Sequence, residues 1–140
     1  MPLTVCSDEQ HESQAPTPTA DRKCACTFGY RFTDWRTLKV AVHDWCDPAR
    51  LAAEVVVKYG EISEWDVSRI TKMSDLFEDK TTCNPDLSKW DTGAVTNMYA
   101  MFFGAASFNG DLSKWDTGKA TDMENMFQGA TAFNGDLSKW

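Results

Sequence analysis

Trp90–Lys114 reads WDTGAVTNMYAMFFGAASFNGDLSK, and Trp115–Lys139, directly after it, reads WDTGKATDMENMFQGATAFNGDLSK. The two stretches agree at 17 of 25 positions. Trp65–Lys89, WDVSRITKMSDLFEDKTTCNPDLSK, is a diverged third copy, so Trp65, Trp90, Trp115 and Trp140 recur every 25 residues. The lead-in Gly60-Glu61-Ile62-Ser63-Glu64-Trp65 parallels Gly110-Asp111-Leu112-Ser113-Lys114-Trp115. Self-similarity at a period of roughly 20–50 residues is the mark of a chain built from stacked units.

Each unit predicts one coil. Thr71, Thr96 and Thr121 stand where a side-chain oxygen caps a helix, and Thr121 with Glu124 spells a capping box. A short helix is expected next, carrying Met98, Met101 and Phe102 in one unit and Met123, Met126 and Phe127 in the other. Gly104 and Gly129 would end it. After a turn come Phe108 and Phe133, then a short strand centred on Leu112 or Leu137 that closes on the Trp. These side chains, with Trp65, Trp90 and Trp115, form the expected core. The expected fold is therefore an α/β repeat solenoid over residues 60–140, with four parallel strands and three full coils. One coil cannot bury enough surface alone, so neighbours must share faces.

The flanks differ. In residues 28–59, Trp35, Leu38, Val42 and Trp45 lie on one helical face, with Thr33 or Asp34 as the cap. Asp47-Pro48 reads as the stop of that helix and the start of another, on which Leu51, Val55 and Tyr59 continue the apolar face to Gly60. The prediction is a helical hairpin, 33–46 and 48–59, that caps the first coil. Residues 1–27, with Pro16 and Pro18 in a polar run, read as an extended or disordered tail. At the other end Trp140 lies on the fourth expected strand with no polar capping unit. A partner, or further repeats absent from this chain, is expected to cover it.

Composition excludes several function classes. The chain has 140 residues, 14 Lys+Arg against 21 Asp+Glu and a net charge of −7, a poor match for nucleic acid or an anionic membrane. No apolar run approaches the ~20 residues that span a bilayer, so direct membrane insertion is not expected. No secretory signal is legible in Met1–Asp21, which leaves cell surface and organellar assembly both open. The only histidines are His11 and His43, and no base is paired with a nucleophile. No catalytic residue, cofactor or metal ligand is assigned. Cys6, Cys24, Cys26, Cys46 and Cys83 are odd in number. A bond from Cys24 or Cys26 to Cys46 or Cys83 competes with reduced, partly buried thiols, and Cys24-Ala25-Cys26 is a weak metal signal. Asp86, Asp111 and Asp136 stack in one column, and Asp66, Asp91 and Asp116 in another. Calcium would relieve their repulsion, but Lys89, Lys114 and Lys139 run alongside and Asp also caps turns.

One surface departs from the repeat. The residue after Met73, Met98 and Met123 is Ser74, Tyr99 and Glu124, and four residues on stand Glu78, Phe103 and Gln128. Only the middle unit is aromatic there, with Ala100 where its neighbours have Asp75 and Asn125. Tyr99, Ala100 and Phe103, together with Trp140, are the expected partner-binding residues.

The pattern W-D-[TV]-[SG]-x-x-T-x-M-x-x-[ML]-F followed by F-N-x-D-L-S-x-W resembles the BspA-like leucine-rich-repeat surface proteins (domain of unknown function family 285). Phe32-Thr33, Leu38-Lys39, Ala41-Val42 and Tyr59-Gly60-Glu61-Ile62 look like that family's entry into its array, so the likeness covers roughly residues 28–140. Cys83 departs from its Phe and Pro85 from its Gly. The resemblance implies a leucine-rich-repeat-like solenoid, surface or protein-interaction roles in bacteria, presence in unicellular algae, and no catalytic residues. The function expected is a non-enzymatic interaction or structural module, adhesin-like or docking, with a protein partner. Its alternatives are an accessory subunit stabilising a larger complex, an algal membrane-bound one included, and a calcium-binding surface repeat.

Overall fold

The computed structural model describes residues 30–140. The tail expected over 1–27, with Cys6, Cys24 and Cys26, lies outside the described residues. Helix α1 spans Trp35–Cys46 and is capped by Asp34, whose carboxylate accepts from the Thr37 N–H at 2.9 Å. Leu38, Ala41 and Val42 are buried on its inner face. Helix α2 spans Ala52–Tyr59 and ends on Gly60, at φ 71°, whose N–H bonds to the Val56 carbonyl. It starts later than the 48 expected: Asp47 accepts from the Ala49 N–H in a turn, and Leu51 is 66% exposed. A single turn of 3-10 helix, Ile62–Glu64, leads into the first coil.

The expected solenoid of strands and short helices is not what forms. Among the described residues there is no strand and no sheet, only three isolated parallel bridges, Arg31–Asp66, Lys72–Asn97 and Asn97–Asp122. Beyond the 3-10 turn the repeat is also free of helix. Asp75, Ala100 and Asn125 explain the lost helix: each sits mid-segment with φ between 49° and 58°, a left-handed conformation that an α-helix does not tolerate. The expected strand is lost because the Leu87, Leu112 and Leu137 carbonyls close turns onto the N–H of Trp90, Trp115 and Trp140. Thr96 and Thr121 cap nothing. Each donates its N–H and hydroxyl to the carbonyl of the threonine 25 residues earlier.

Coils nevertheless stack, through turns. The N–H groups of Met73, Asp75, Phe77 and Asp79 donate to the carbonyls of Asn97, Tyr99, Met101 and Phe103. One coil on, Met98, Ala100, Phe102 and Gly104 donate to Asp122, Glu124, Met126 and Gln128 at 2.8–2.9 Å. The N–H groups of Met101, Phe103 and Ala105 close tight turns within the coil. Four peptide groups per coil therefore lie along the stack with one polarity, C=O toward the hairpin and N–H away from it.

Side chains stack in the same register. Trp65, Trp90, Trp115 and Trp140 form a column with ring centroids 6.3–6.5 Å apart. Each later indole N–H donates to a carbonyl 28 residues back, that of Ile62, Leu87 or Leu112. Phe77, Phe102 and Phe127 form a second column, and Phe108 stacks on Phe133. The hairpin closes the near end. Tyr30, Phe32, Tyr59 and Trp45 gather around Trp65 and one another, and the Cys46–Cys83 disulfide ties α1 to the first coil. That pairing joins neither Cys24 nor Cys26, and it replaces the expected reduced thiols.

Candidate interaction surface

Two faces of the stack carry unusual chemistry. The first runs along the column of Ser74, Tyr99 and Glu124. Trp35 leaves α1 to donate its indole N–H to the Ser74 carbonyl at 2.9 Å. Ser74 is buried, and its hydroxyl has no partner among the described residues. Lys39 and Lys72 place their ammonium groups 5.0 and 4.5 Å from the Trp35 ring, within cation–π range. The next member of the column, Tyr99, is 38% exposed. Its carbonyl accepts from the Asp75 N–H, so Trp35, Ser74 and Tyr99 are joined through the backbone.

The expected patch is only partly assembled. Phe103 is half-buried, and neither it nor Tyr99 joins the ring contacts of the core. The helix that would pair them is absent. Ala100 is buried and left-handed, so it props the turn rather than touching a partner. Nothing in the sequence flagged Trp35, Lys39 and Lys72 as one cluster, because the contact depends on how α1 crosses the first coil.

The second face is the end away from the hairpin. Met73 and Met98 are fully buried, whereas Met123 in the same column is 41% exposed. Phe127, Phe133, Leu137 and Trp140 are half-buried where Phe102, Phe108, Leu112 and Trp115 are buried. Met126 stays buried. Backbone N–H groups of Met123, Asn125, Phe127 and Gly129 point out of this face, with no acceptor among the described residues.

The aspartate columns serve the turns. Asp86, Asp111 and Asp136 accept the N–H of Ser88, Ser113 and Ser138 at 2.9–3.0 Å. Those backbone bonds, helped by the serine hydroxyls, hold the three carboxyls below the ordinary 3.8. Asp91 and Asp116 accept from Gly93 and Gly118. For Asp66, partial burial pushes the carboxyl up, but bonds from Ser68 and Arg31 outweigh it and leave it lowered. Among the described residues no group of three or more His, Cys, Asp or Glu side chains is placed to hold a metal ion. No described helix is long and apolar enough to cross a membrane.

A shallow cleft of about 350 Å³ lies at the seam of hairpin and coil, lined by Asp44, Trp45, Arg50, Pro85 and the disulfide. Buried Asp44 is held there by Arg50 at 3.1 Å. His43 is exposed on α1.

The family model described as "Mycoplasma protein of unknown function, DUF285" matches residues 50–140. The chain belongs to this family. The DUF285 match takes in all three coils and α2 and leaves α1 outside, so the Trp35 cluster lies at its margin. No curated protein and no solved structure matches the chain.

Proposed function

We propose that this DUF285 chain is a non-enzymatic protein-interaction module that recognises its partner through the Trp35–Tyr99 strip. The observation that carries this is Tyr99, an exposed aromatic in a column that is otherwise a covered serine and a glutamate. Aromatic side chains with a polar rim are the usual anchors of a protein interface. Lys39 and Lys72 beside Trp35 set local positive charge on an acidic chain, which favours a partner surface bearing carboxylates. Backbone bonds between coils and the Trp35 bond to the Ser74 carbonyl hold the strip in place, which lowers the ordering cost of binding. The likeness to BspA-like surface proteins supports an adhesin-like setting, and the Cys46–Cys83 bond supports an oxidising compartment.

A photo-reactive amino acid at position 99, compared with one at exposed Lys119, tests the reading in cells of the source organism. A discrete cross-linked product from position 99 alone is expected, and it should disappear in a Trp35→Ala background. Equal labelling from both positions would sink the proposal.

A further inference from the structure

The column that carries Tyr99 has a neighbour with the same charge order. Parallel bridges set Lys72 beside Asn97 and Asn97 beside Asp122. Residues two apart on an extended segment share a face, and Met73 and Met98 between them point inward. Lys72 therefore lies with Ser74, Asn97 with Tyr99 and Asp122 with Glu124, one pair per coil. The first pair is positive, and Lys39 adds to it by reaching from α1 to the Trp35 ring that Lys72 also meets. The second pair is uncharged, and the third is doubly acidic. None of these four charged side chains has a salt bridge among the described residues. The face looks sideways from the stack, since Tyr99 is exposed with a coil on either side of it. Opposite charges thus stand one coil, about 4.8 Å, to each side of Tyr99.

A face with that order is its own complement. A two-fold axis lying along the middle coil turns the stack end for end and leaves each column opposite itself. Lys39 and Lys72 then meet Asp122 and Glu124 of a second copy, twice over, and Tyr99 meets Tyr99 on the axis. An axis along the stack would set lysines on lysines and carboxylates on carboxylates, which repel. The relief matches too. α1 stands over the first coil, where Trp35 reaches the Ser74 carbonyl and Ser74 is buried, whereas Glu124 on the third coil is uncovered. The same rotation seats each α1 over the open third coil of the other copy. We infer that this face pairs two copies of the chain as an antiparallel, isologous dimer. The pairing rests on the reading of the Trp35–Tyr99 strip as an interface and names its carboxylate-bearing partner, the chain itself.

Sedimentation equilibrium of the full chain at low salt reads the association, and a dimer is expected. Two charge variants give the sharper arm. Lys39→Glu with Lys72→Glu makes both ends of the face acidic, and Asp122→Lys with Glu124→Lys makes both basic. Each variant alone should lose about tenfold or more in association. Mixed in equal amounts they should pair at least as tightly as the unaltered chain, because each first coil then meets opposite charge on the other third coil. Tyr99→Ser leaves both charge rows in place and should weaken pairing of the otherwise unaltered chain by a similar factor. A chain that stays monomeric up to about 1 mM overturns the dimer. So does a dimer that survives all of these changes, or a mixture of well-folded charge variants that stays monomeric. Should a charge variant fail to fold, Tyr99→Ser decides alone, and unchanged association overturns the dimer. Cross-linking from position 99 separates the two readings. A product of twice the chain's mass supports the dimer, whereas a monomeric chain that cross-links there to a different protein sinks the dimer and leaves the proposed function standing.

Discussion

Trp115 and Trp140 lie face to face, with ring centroids 6.3 Å apart and planes within 1° of parallel. Trp115 has a second such partner in Trp90 and donates its indole N–H to the Leu87 carbonyl at 3.0 Å. Trp140 has one stacked tryptophan and a longer bond, 3.3 Å, to the Leu112 carbonyl. Position along the column should therefore set the cost of losing the ring. Trp115→Ala is expected to cost about 3–5 kcal/mol as a large-to-small core change. Because each coil buries its faces on the next, the loss should reach both neighbours. Trp140→Ala should cost about half as much, since half of its cavity is solvent already. Urea denaturation of both variants checks the order, and equal costs would mean that Trp140 is packed as fully as Trp115.

Cys83 occupies the place of Phe108 and Phe133 and is bonded to Cys46 across 37 residues, with Cα atoms 5.3 Å apart. Closing a loop of that length in the unfolded chain is worth about 4 kcal/mol at most. Cys46→Ser should lower stability by a large part of that, and by nothing under reducing conditions. The pair Cys46→Ala with Cys83→Phe should recover some of it, because a phenylalanine continues the Phe108–Phe133 column and the adjoining cleft leaves room. Thermal melts with and without a dithiol separate the cross-link from the packing.

The repeat, the hairpin and its Gly60 terminator were legible because each is a spacing rule: 25 for the coils, three and four for α1. The columns of Trp, Phe and Met followed from the same interval. What each coil does inside was not legible. Thr-x-Met followed by a glutamate reads as the start of a helix, yet the threonines bond to one another between coils. Asp75 and Asn125 tolerate a left-handed backbone, but Ala100 gives no such sign, and stacking imposes that conformation on it. The direction of the peptide groups, which creates the donor row, has no side-chain signature at all. The Cys46–Cys83 bond did leave one, a cysteine breaking a phenylalanine column, though the column alone could not name its partner.

The aspartate turns predict an acid response. Asp86, Asp111 and Asp136 have folded values lowered from 3.8 by the backbone and hydroxyl bonds of Ser88, Ser113 and Ser138. A carboxyl that binds its proton less readily when folded contributes stability above its unfolded value and loses it as pH falls through the folded one. Stability should thus be level above about pH 5 and decline below about pH 4. The triple change to asparagine keeps the turn acceptor and removes the charge, so its stability should be flatter across that range. Denaturant midpoints from neutral to acid pH measure it, and an unchanged slope in the asparagine variant would assign the acid loss to other groups.

Lys89 pairs with Glu64 one coil below it, and that bond raises the lysine above its ordinary 10.5. The next two members of the column, Lys114 and Lys139, have no salt bridge to Asp or Glu among the described residues. Three like charges at the coil spacing repel, whereas alternation would attract. Lys114→Glu sets a carboxylate between Lys89 and Lys139 and should raise stability by about 0.3–1 kcal/mol, the range of an exposed pair. Lys114→Gln removes the repulsion without adding the attraction and should gain less. Both gains should shrink at about 1 M salt, where exposed charges are screened within a few ångströms. Melting temperatures of the three proteins at low and high salt decide the matter. Were the glutamate and glutamine variants to melt together at low salt, the lysines would stand too far apart to form one electrostatic column.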